Sequence, residues 1–525
     1  MTSPTIPAPA GVRLPAGSAA RPRPARPRPR LVPVLVVLAL LAGVVARFAA
    51  PSALWLDEAQ SVAIARLPLP ELFQGLREDG SPPLYYLLLH GWIGLFGTGT
   101  ASVRSLSGVL SVLTLPLAWW LTRRTCGRRV ALAVTLLLAS SPLAIRYASE
   151  TRMYSLLLLL AVVLAAAVRL VVRRPGPWPV AALAGATGAL LLTHLWAFHL
   201  VAVVAILALV ALRHHRREAL RVLAGLVGGF VLFLPWVPSF LVQLRHTGTP
   251  WSGQQGLSSL PAALGAWDGG SGVQAWLFGL LLVLLAVVGT FAVATPRGPR
   301  ARIELALPVP WRRAVLVAGS LGTLVVAAIA SAVTASGVAG RYTTVALPAF
   351  LVLVALGVRA LPTARSRGVA LFVLVGFGLG CAVPSLAQPR SQAPQIAAGL
   401  RAAAPGDLVV FCPDQLGPSV ARVAPAGLQL VVYPDLGPAD RVDWTDYAER
   451  NDSRTPDAVA EDVLARSAGR AVWVVTGSGY RVPSDTTCRS FVAAITAVRG
   501  TPTLVVGRST SYYEGDRLQV FSPAP

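Results

Sequence analysis

Long apolar runs set the reading of this chain. From residue 31 the sequence consists of stretches almost free of charge, separated by short arginine-rich segments. A helix needs about 20 apolar residues to cross the ~30 Å hydrocarbon core of a bilayer. Runs of that kind lie near 31–49, 104–122, 130–146, 153–172, 180–199, 200–212, 219–238, 273–295, 314–334, 343–360 and 368–386. They predict eleven transmembrane helices, the first an uncleaved anchor. One more stretch, PLYYLLLHGWIGLFG at 83–97, is too short to cross. It reads as an interfacial or re-entrant helix, with Tyr85, Tyr86 and Trp92 at headgroup depth.

Near residue 387 the pattern changes. The apolar runs shorten to DLVVFCP, LQLVVYP, AVWVVTG, TPTLVVG and RLQVFSP, and helix-like stretches such as PDAVAEDVLARSAG and CRSFVAAITAVRG alternate with them. This predicts a small α/β domain. The expected fold class is a polytopic α-helical membrane protein with a C-terminal extracytoplasmic α/β domain. Its expected parts are a disordered basic cytoplasmic tail at 1–30, a membrane domain at 31–386 and the α/β domain at 387–525.

Composition supports the membrane reading. The 525 residues are 54% hydrophobic and 13% charged, whereas soluble domains carry about 25% charged residues. The net charge of +23 comes from arginine, since the chain has no lysine. So basic a chain raises nucleic acid as a partner, but that needs a basic face on a soluble domain. Here the arginines cluster between apolar runs, within 123–129, 169–174, 213–221, 297–313 and 359–367. The positive-inside rule puts these clusters and the tail in the cytoplasm, with the C-terminus outside and the protein multi-pass in the plasma membrane. Of four cysteines, Cys412 and Cys488 both fall in the α/β part, where an oxidising exterior favours a disulfide between them. Cys126 and Cys381 read as packing residues, and no CxxC pattern occurs.

On this topology polar groups gather on the outer side. The first loop carries LWLDEAQS, with Asp57 and Glu58, then Asp79 and, at the next span, Arg104. The following outer turn, SPLAIRYASETRMYS, holds Arg146, Glu150 and Arg152; His194 and His199 sit near another outer end; Arg341 and Tyr342 lie in GVAGRYTTVALP. External arginines run against the positive-inside bias. An anionic lipid headgroup supplies a reason, because the guanidinium fork fits phosphate. A nearby carboxylate can take a proton from an attacking hydroxyl or hold a divalent cation. Plainer readings stand beside these: acids at a helix start, i,i+4 ion pairs, packed histidines and a snorkelling arginine.

Taken in order, LDEAQS (56–61), DGSPPLYYLLLHGWIGLFG (79–97), SPLAIRYASETRMYSLLLLLA (141–161) and AGRYTTVALPAF (339–350) resemble the GT-C superfamily of membrane glycosyltransferases. The likeness is to the branch of protein O-mannosyltransferases, lipid A aminoarabinose transferases and similar bacterial enzymes of the cell envelope. It implies transfer of a sugar, mannose-like first, from a polyprenyl-phosphate donor, with inversion, to a glycan, lipid or protein acceptor. By the same resemblance Asp57 is the expected base, with Glu58 its partner or, with Asp57, a ligand for Mg or Mn. Asp79 corresponds to the acid before Pro-Pro, while Arg104, Arg146, Arg152 and Arg341, with Glu150, His194 and Tyr342, form the expected substrate site. Where those branches carry Lys or His before Pro-Pro, this chain has Ser81. A lipid-linked sugar flippase and a non-catalytic anchor for the α/β domain are the rival classes. A flippase would spread charges through the membrane interior, and an anchor would not need so many spans.

Overall fold

Each of the eleven long apolar runs forms a helix, but their lengths differ. In the computed structural model, residues 31–247, 261, 265–270, 272–293, 304–305, 307–334, 337, 339–480 and 482–523 are described. The expected tail at 1–30 lies outside them. Six helices are long and apolar enough to cross a membrane: Thr100–Cys126 (α5), Tyr154–Arg173 (α8), Arg216–His246 (α11 with α12), Val273–Phe291, Trp311–Val333 and Ala364–Ala387. A seventh span is the pair Arg128–Ala139 (α6) and Pro142–Ala148 (α7), bent by 54°. The bend falls at Ser140-Ser141, just before Pro142, which has no N–H to continue the helical ladder.

Four other helices are shorter: Leu31–Ala46 (α1), Pro177–Leu191 (α9), Ala197–Ala211 (α10) and Leu347–Ala360. They have 14 to 16 residues. By length and composition, six of the described helices qualify as spans, seven with the bent pair counted as one, and the other four runs form these shorter helices. The reasons are local. A turn at 192–196 takes residues from both α9 and α10, and a 3-10 turn at Gly340–Val345 takes the start of the stretch expected at 343–360.

Between α1 and α5 the chain makes three helices, Leu56–Ala65 (α2), Leu69–Asp79 (α3) and Leu84–Phe96 (α4). The last is the run at 83–97; its 13 residues rise ~20 Å, short of the bilayer core. Arg47 fixes the chain as it enters this loop. Its buried guanidinium donates to the carbonyls of Gly43 at 2.6 Å, Ala139 at 2.7 Å and Leu138 at 2.8 Å. The last two belong to the end of α6, where carbonyls have no intrahelical partner.

All five short runs after 387 become strands. They form one mixed sheet in the order β4–β3–β5–β7–β6, from Leu408–Cys412 (β3), Gln429–Val432 (β4), Val472–Gly477 (β5), Thr503–Val506 (β6) and Asp516–Phe521 (β7). A separate two-residue ladder joins β1 (Ala292–Val293) to β2 (Glu304–Leu305). Strand β3 runs parallel to β4 and β5, while β7 is antiparallel to β5 and β6. Helices Pro456–Arg466 and Asp485–Arg499 pack apolar faces onto the sheet through Val459, Val463, Phe491 and Ile495. A disulfide joins Cys412, at the end of β3, to Cys488.

This sheet-bearing part rests on the first loop. Gln60 and Val442 exchange two bonds, Nε2 to the Val442 carbonyl at 3.1 Å and the Val442 N–H to Oε1 at 3.0 Å. The Trp444 N–H reaches the Glu78 carbonyl at 3.0 Å. Trp55 and Leu56 share an apolar cluster with Val442, Trp444 and Tyr447.

The tightest helix crossing joins Val273–Phe291 to Leu347–Ala360. A Cβ on Gly289 would lie 1.9 Å from the Leu353 carbonyl oxygen, and one on Gly357 would lie 1.9 Å from that of Leu285. Backbone atoms cannot step aside as a side chain can, and small residues at such crossings let helices pack closely. Gly289→Ala or Gly357→Ala is expected to lower the melting temperature and the monodisperse yield in detergent. Gly91→Ala, with no neighbour within 4 Å of the new Cβ, leaves both unchanged; a melting temperature for Gly289→Ala equal to wild type would refute the packing argument.

Candidate active site

Asp57 and Glu58 open α2, yet they face different partners. Adjacent helical residues are turned by about 100°, so neighbours in sequence do not share a face. Glu58 points inward and has no exposed surface. Arg104 clasps it as a fork, Nε to Oε1 at 2.7 Å and Nη2 to Oε2 at 2.6 Å. Oε1 also accepts the Thr151 N–H at 3.0 Å, and Arg390 Nη1 lies 3.3 Å away. Burial alone pushes the Glu58 carboxyl up, but the bonds and charges of Arg104 and Arg390 hold it below the usual carboxylate range. The remaining donors of Arg104 go to the carbonyls of Ala50, Ser52 and Ala53.

This geometry bears on two expectations. Glu58, expected as the partner of Asp57, is taken up by Arg104, Arg390 and the Thr151 N–H, and Arg104 by Glu58 and three carbonyls, so neither turns a free group toward Asp57 or a phosphate. It also answers the cation expectation. Asp57 and Glu58 do not converge, Glu58 is occupied by guanidiniums, and among the described residues no three His, Cys, Asp or Glu side chains gather to hold a metal. Asp57 and Glu58 therefore do not form the two-carboxylate pair expected for Mg or Mn.

Asp57 faces the other way, toward two arginines from separate segments. Its Oδ2 lies 3.4 Å from Arg341 Nη1 and 3.9 Å from Arg152 Nε. One carboxylate oxygen thus faces two guanidiniums. Arg152 is aimed by a relay: its Nη1 donates to Ser61 Oγ at 3.0 Å and Tyr86 Oη at 3.2 Å, and the Tyr86 hydroxyl donates to Asp79 Oδ2 at 2.8 Å. Gln60 Nε2 holds Asp79 Oδ1 at 2.6 Å. Asp79 thus stands behind Arg152, and Ser81 bonds both Asp79 and the Tyr86 hydroxyl, which donates to Ser81 Oγ at 3.3 Å. This chain of bonds ties the second tyrosine of PPLYY to the acid seven positions before it.

Beside this pair lie Arg146 and Glu150. Arg146 Nε is 3.5 Å from Glu150 Oε2, and its Nη1 donates to the Ser385 carbonyl at 3.1 Å. Burial pushes the Glu150 carboxyl up against the opposing pull of Arg146 and Arg390. Several buried polar atoms here lack a hydrogen bond: Asp57 Oδ2, both Glu150 oxygens, Arg152 Nε, Arg341 Nε and Trp55 Nε1. Unpaired buried groups are costly, so their concentration at one spot marks a place built for a polar ligand.

The wall is aromatic. His194 stacks obliquely on Tyr342 and Tyr154, with centroids 5.0 and 5.8 Å apart. Its Nδ1 accepts the Trp196 N–H at 3.1 Å. Burial, then Arg152 and Arg341, push its pKa down to about 3, so the ring is neutral at physiological pH and brings no positive charge to an anion. Arg341 lies 5.5 Å over the Tyr342 ring. His199 stands apart on α10, edge-on to Trp196. Two participants were not among the expected residues. Arg390, after the last apolar run, donates to the carbonyl and hydroxyl of Ser149 at 2.7 and 2.8 Å and reaches Glu58. Tyr513 comes from the β6–β7 loop and packs on Trp55. Arg390 carried one signal, an external arginine against the positive-inside bias; nothing near Tyr513 marks it.

Removing one member of a buried ion pair costs about 3–5 kcal/mol, because the other charge is stranded. Glu58→Ala is therefore expected to unfold at markedly lower temperature than wild type. A carboxylate held below its free pKa of 4.5 stabilises the fold above that pH and loses the contribution as pH falls below it. Melting in detergent from pH 7 to pH 3 should show an acid-side loss that Glu58→Gln lacks. Identical acid profiles for wild type and Glu58→Gln would overturn the structural role.

Residues 80–238 match the family model for dolichyl-phosphate-mannose-protein mannosyltransferase. No curated protein sequence matches the chain. Among solved structures, the chain is similar to ArnT from Cupriavidus metallidurans bound to undecaprenyl phosphate, at 16% identity and a TM-score of 0.56, covering 93% of this chain and 98% of that one. It is also similar to the arabinofuranosyltransferase AftD from Mycobacteria, at 14% identity and a TM-score of 0.52, covering 94% of this chain and 42% of AftD. The loop motifs, the matched segment and these likenesses agree: the fold of this chain is that of the GT-C superfamily of membrane glycosyltransferases.

Proposed function

We propose that this chain is an inverting glycosyltransferase that moves one sugar, mannose-like, from a polyprenyl-phosphate donor to an acceptor hydroxyl on the outer side of the plasma membrane. The observation that carries the reading is Asp57 set between Arg152 and Arg341, among buried polar atoms that lack a hydrogen bond. That ArnT is bound to undecaprenyl phosphate in the structure it resembles supports a lipid phosphate as the anion.

The chemistry follows from charge. Asp57 takes the proton of the acceptor hydroxyl, and the oxygen attacks the anomeric carbon opposite the phosphate. The bond from that carbon to the phosphate oxygen breaks, its electron pair leaves with the lipid phosphate, and configuration inverts. The departing phosphate goes from one negative charge to two. Arg152 and Arg341, with Arg146 beside them, therefore bind the transition state more tightly than the donor. Asp57 and the phosphate draw on the same guanidiniums, so a bound donor leaves the carboxylate less compensated. The same site on a flippase would need no group to take a proton from an acceptor.

The test is transfer from a radiolabelled polyprenyl-phosphate mannose in membranes. Loss of a general base costs about 10²–10⁴-fold, so Asp57→Asn is expected to lose at least that while retaining donor binding. Arg341→Ala removes a charge-assisted contact worth about 1.5–3 kcal/mol and should lower kcat/KM for the donor by about 10- to 150-fold. Wild-type rates in Asp57→Asn would sink the mechanism. For sidedness, Thr100→Cys is expected to react with an impermeant thiol reagent from outside the cell; labelling only after permeabilisation would mean that α4 crosses.

A further inference from the structure

The β6–β7 loop, residues 507–515, folds back onto the catalytic side. Gln392 pins it, donating from Nε2 to the Gly507 carbonyl at 2.8 Å and accepting at Oε1 from the N–H groups of Ser509 at 3.1 Å and Asp516 at 3.0 Å. The Tyr513 N–H donates to the Pro389 carbonyl at 3.0 Å, and that of Glu514 to the Arg390 carbonyl at 2.8 Å. Glu514 Oε1 accepts the N–H of Leu56, the residue before Asp57, at 3.3 Å. The loop is thus tied to the segment carrying Arg390 and to the first turn of α2.

What this holds in place is Tyr513. Its ring meets Trp55 edge to face, with centroids 5.1 Å apart and planes at 87°. Trp55 is 7% exposed, whereas Tyr513 is 56% exposed. Trp55 stands two residues before Asp57, so this contact sets Tyr513 beside the turn that carries the carboxylate. Beside it, Trp55 Nε1 and, on the next residue, Glu514 Oε2 are buried atoms without a hydrogen bond.

An exposed aromatic ring beside buried polar atoms that lack a hydrogen bond suits one kind of molecule. A sugar ring presents a C–H face that stacks on an aromatic ring, and hydroxyls around its edge that both donate and accept. A lipid tail would cover the face but leave the polar atoms unpaired, at a cost in each case. We propose that Tyr513, backed by Trp55, is an acceptor subsite for a saccharide, so that the attacking hydroxyl belongs to a sugar ring seated on the Tyr513 face. The proposal rests on the assignment of Asp57 as the base toward that hydroxyl.

The full-length protein in nanodiscs tests it by saturation-transfer NMR, with a mannose disaccharide, an arabinose disaccharide and a threonine-containing peptide as probes. At least one disaccharide is expected to bind; Tyr513→Ala should weaken it about tenfold, and Tyr513→Phe, which keeps the face, less than twofold. Binding of undecaprenyl phosphate, measured on the same samples, should stay within twofold in both variants. Binding of neither disaccharide, equal weakening in the Ala and Phe variants, a peptide that depends on Tyr513, or parallel loss of the lipid phosphate overturns the proposal. Full transfer activity in Asp57→Asn would instead remove the base while leaving the Tyr513 result standing, so the two failures read differently.

Discussion

The bond network around Glu58 is the constraint from which the rest of the site follows. A fully buried carboxylate is tolerated only when its charge and lone pairs are met. Here one Arg104 fork, one backbone N–H and one Arg390 guanidinium meet them. Those partners come from the start of α5, the turn after α7 and the segment after the last long helix. A single carboxylate therefore locks together parts of the chain up to several hundred residues apart, and it fixes the rotation of α2. Once that rotation is set, Asp57 must point the other way. The two acids of one dipeptide thus divide the work: one holds the frame, and the other is presented by it.

Presentation of charge is what the outer frame achieves. Arg152 and Arg341 bring two guanidiniums to one carboxylate, and the Asp79–Tyr86 relay holds Arg152 from behind. Donors fixed before the reaction need not reorganise during it, which is the main source of electrostatic catalysis. The use of arginine matters physically. Its fork keeps one edge on Ser61 and Tyr86 while another faces Asp57, which a single ammonium at the end of a flexible stem does poorly. Neutral His194 completes the wall without competing for the anion.

Much of this was legible in the sequence. Each of the eleven apolar runs holds a described helix, the run at 83–97 forms a helix too short to span, and five short runs became five strands. The arginines at 146, 152 and 341, singled out against the positive-inside bias, do lie together around Asp57 and Glu150. Periodicity could not decide which acid of Asp57-Glu58 faces the ligand side, because that depends on where Arg104 and Arg390 arrive from 46 positions downstream and from beyond the last long helix. Helix length misled for a related reason: turns at 192–196 and 340–345 are set by packing around His194 and Tyr342, not by hydropathy.

The sheet-bearing part bears on the chemistry more directly than its position at the end of the chain suggests. Without its entry segment Glu58 would keep only one guanidinium, and Ser149 would lose both bonds from Arg390. Without the β6–β7 loop the N–H of Leu56 would lose its acceptor and Trp55 its aromatic neighbour, at the first turn of the helix that presents Asp57. Helix starts have N–H groups with no internal partner, so an outside acceptor there stabilises the turn itself. The catalytic turn is therefore built from both ends of the chain at once. A change in the sheet that shifts residues 389–392 or 513–516 would be transmitted to Asp57 through backbone hydrogen bonds, without any substitution among the membrane helices.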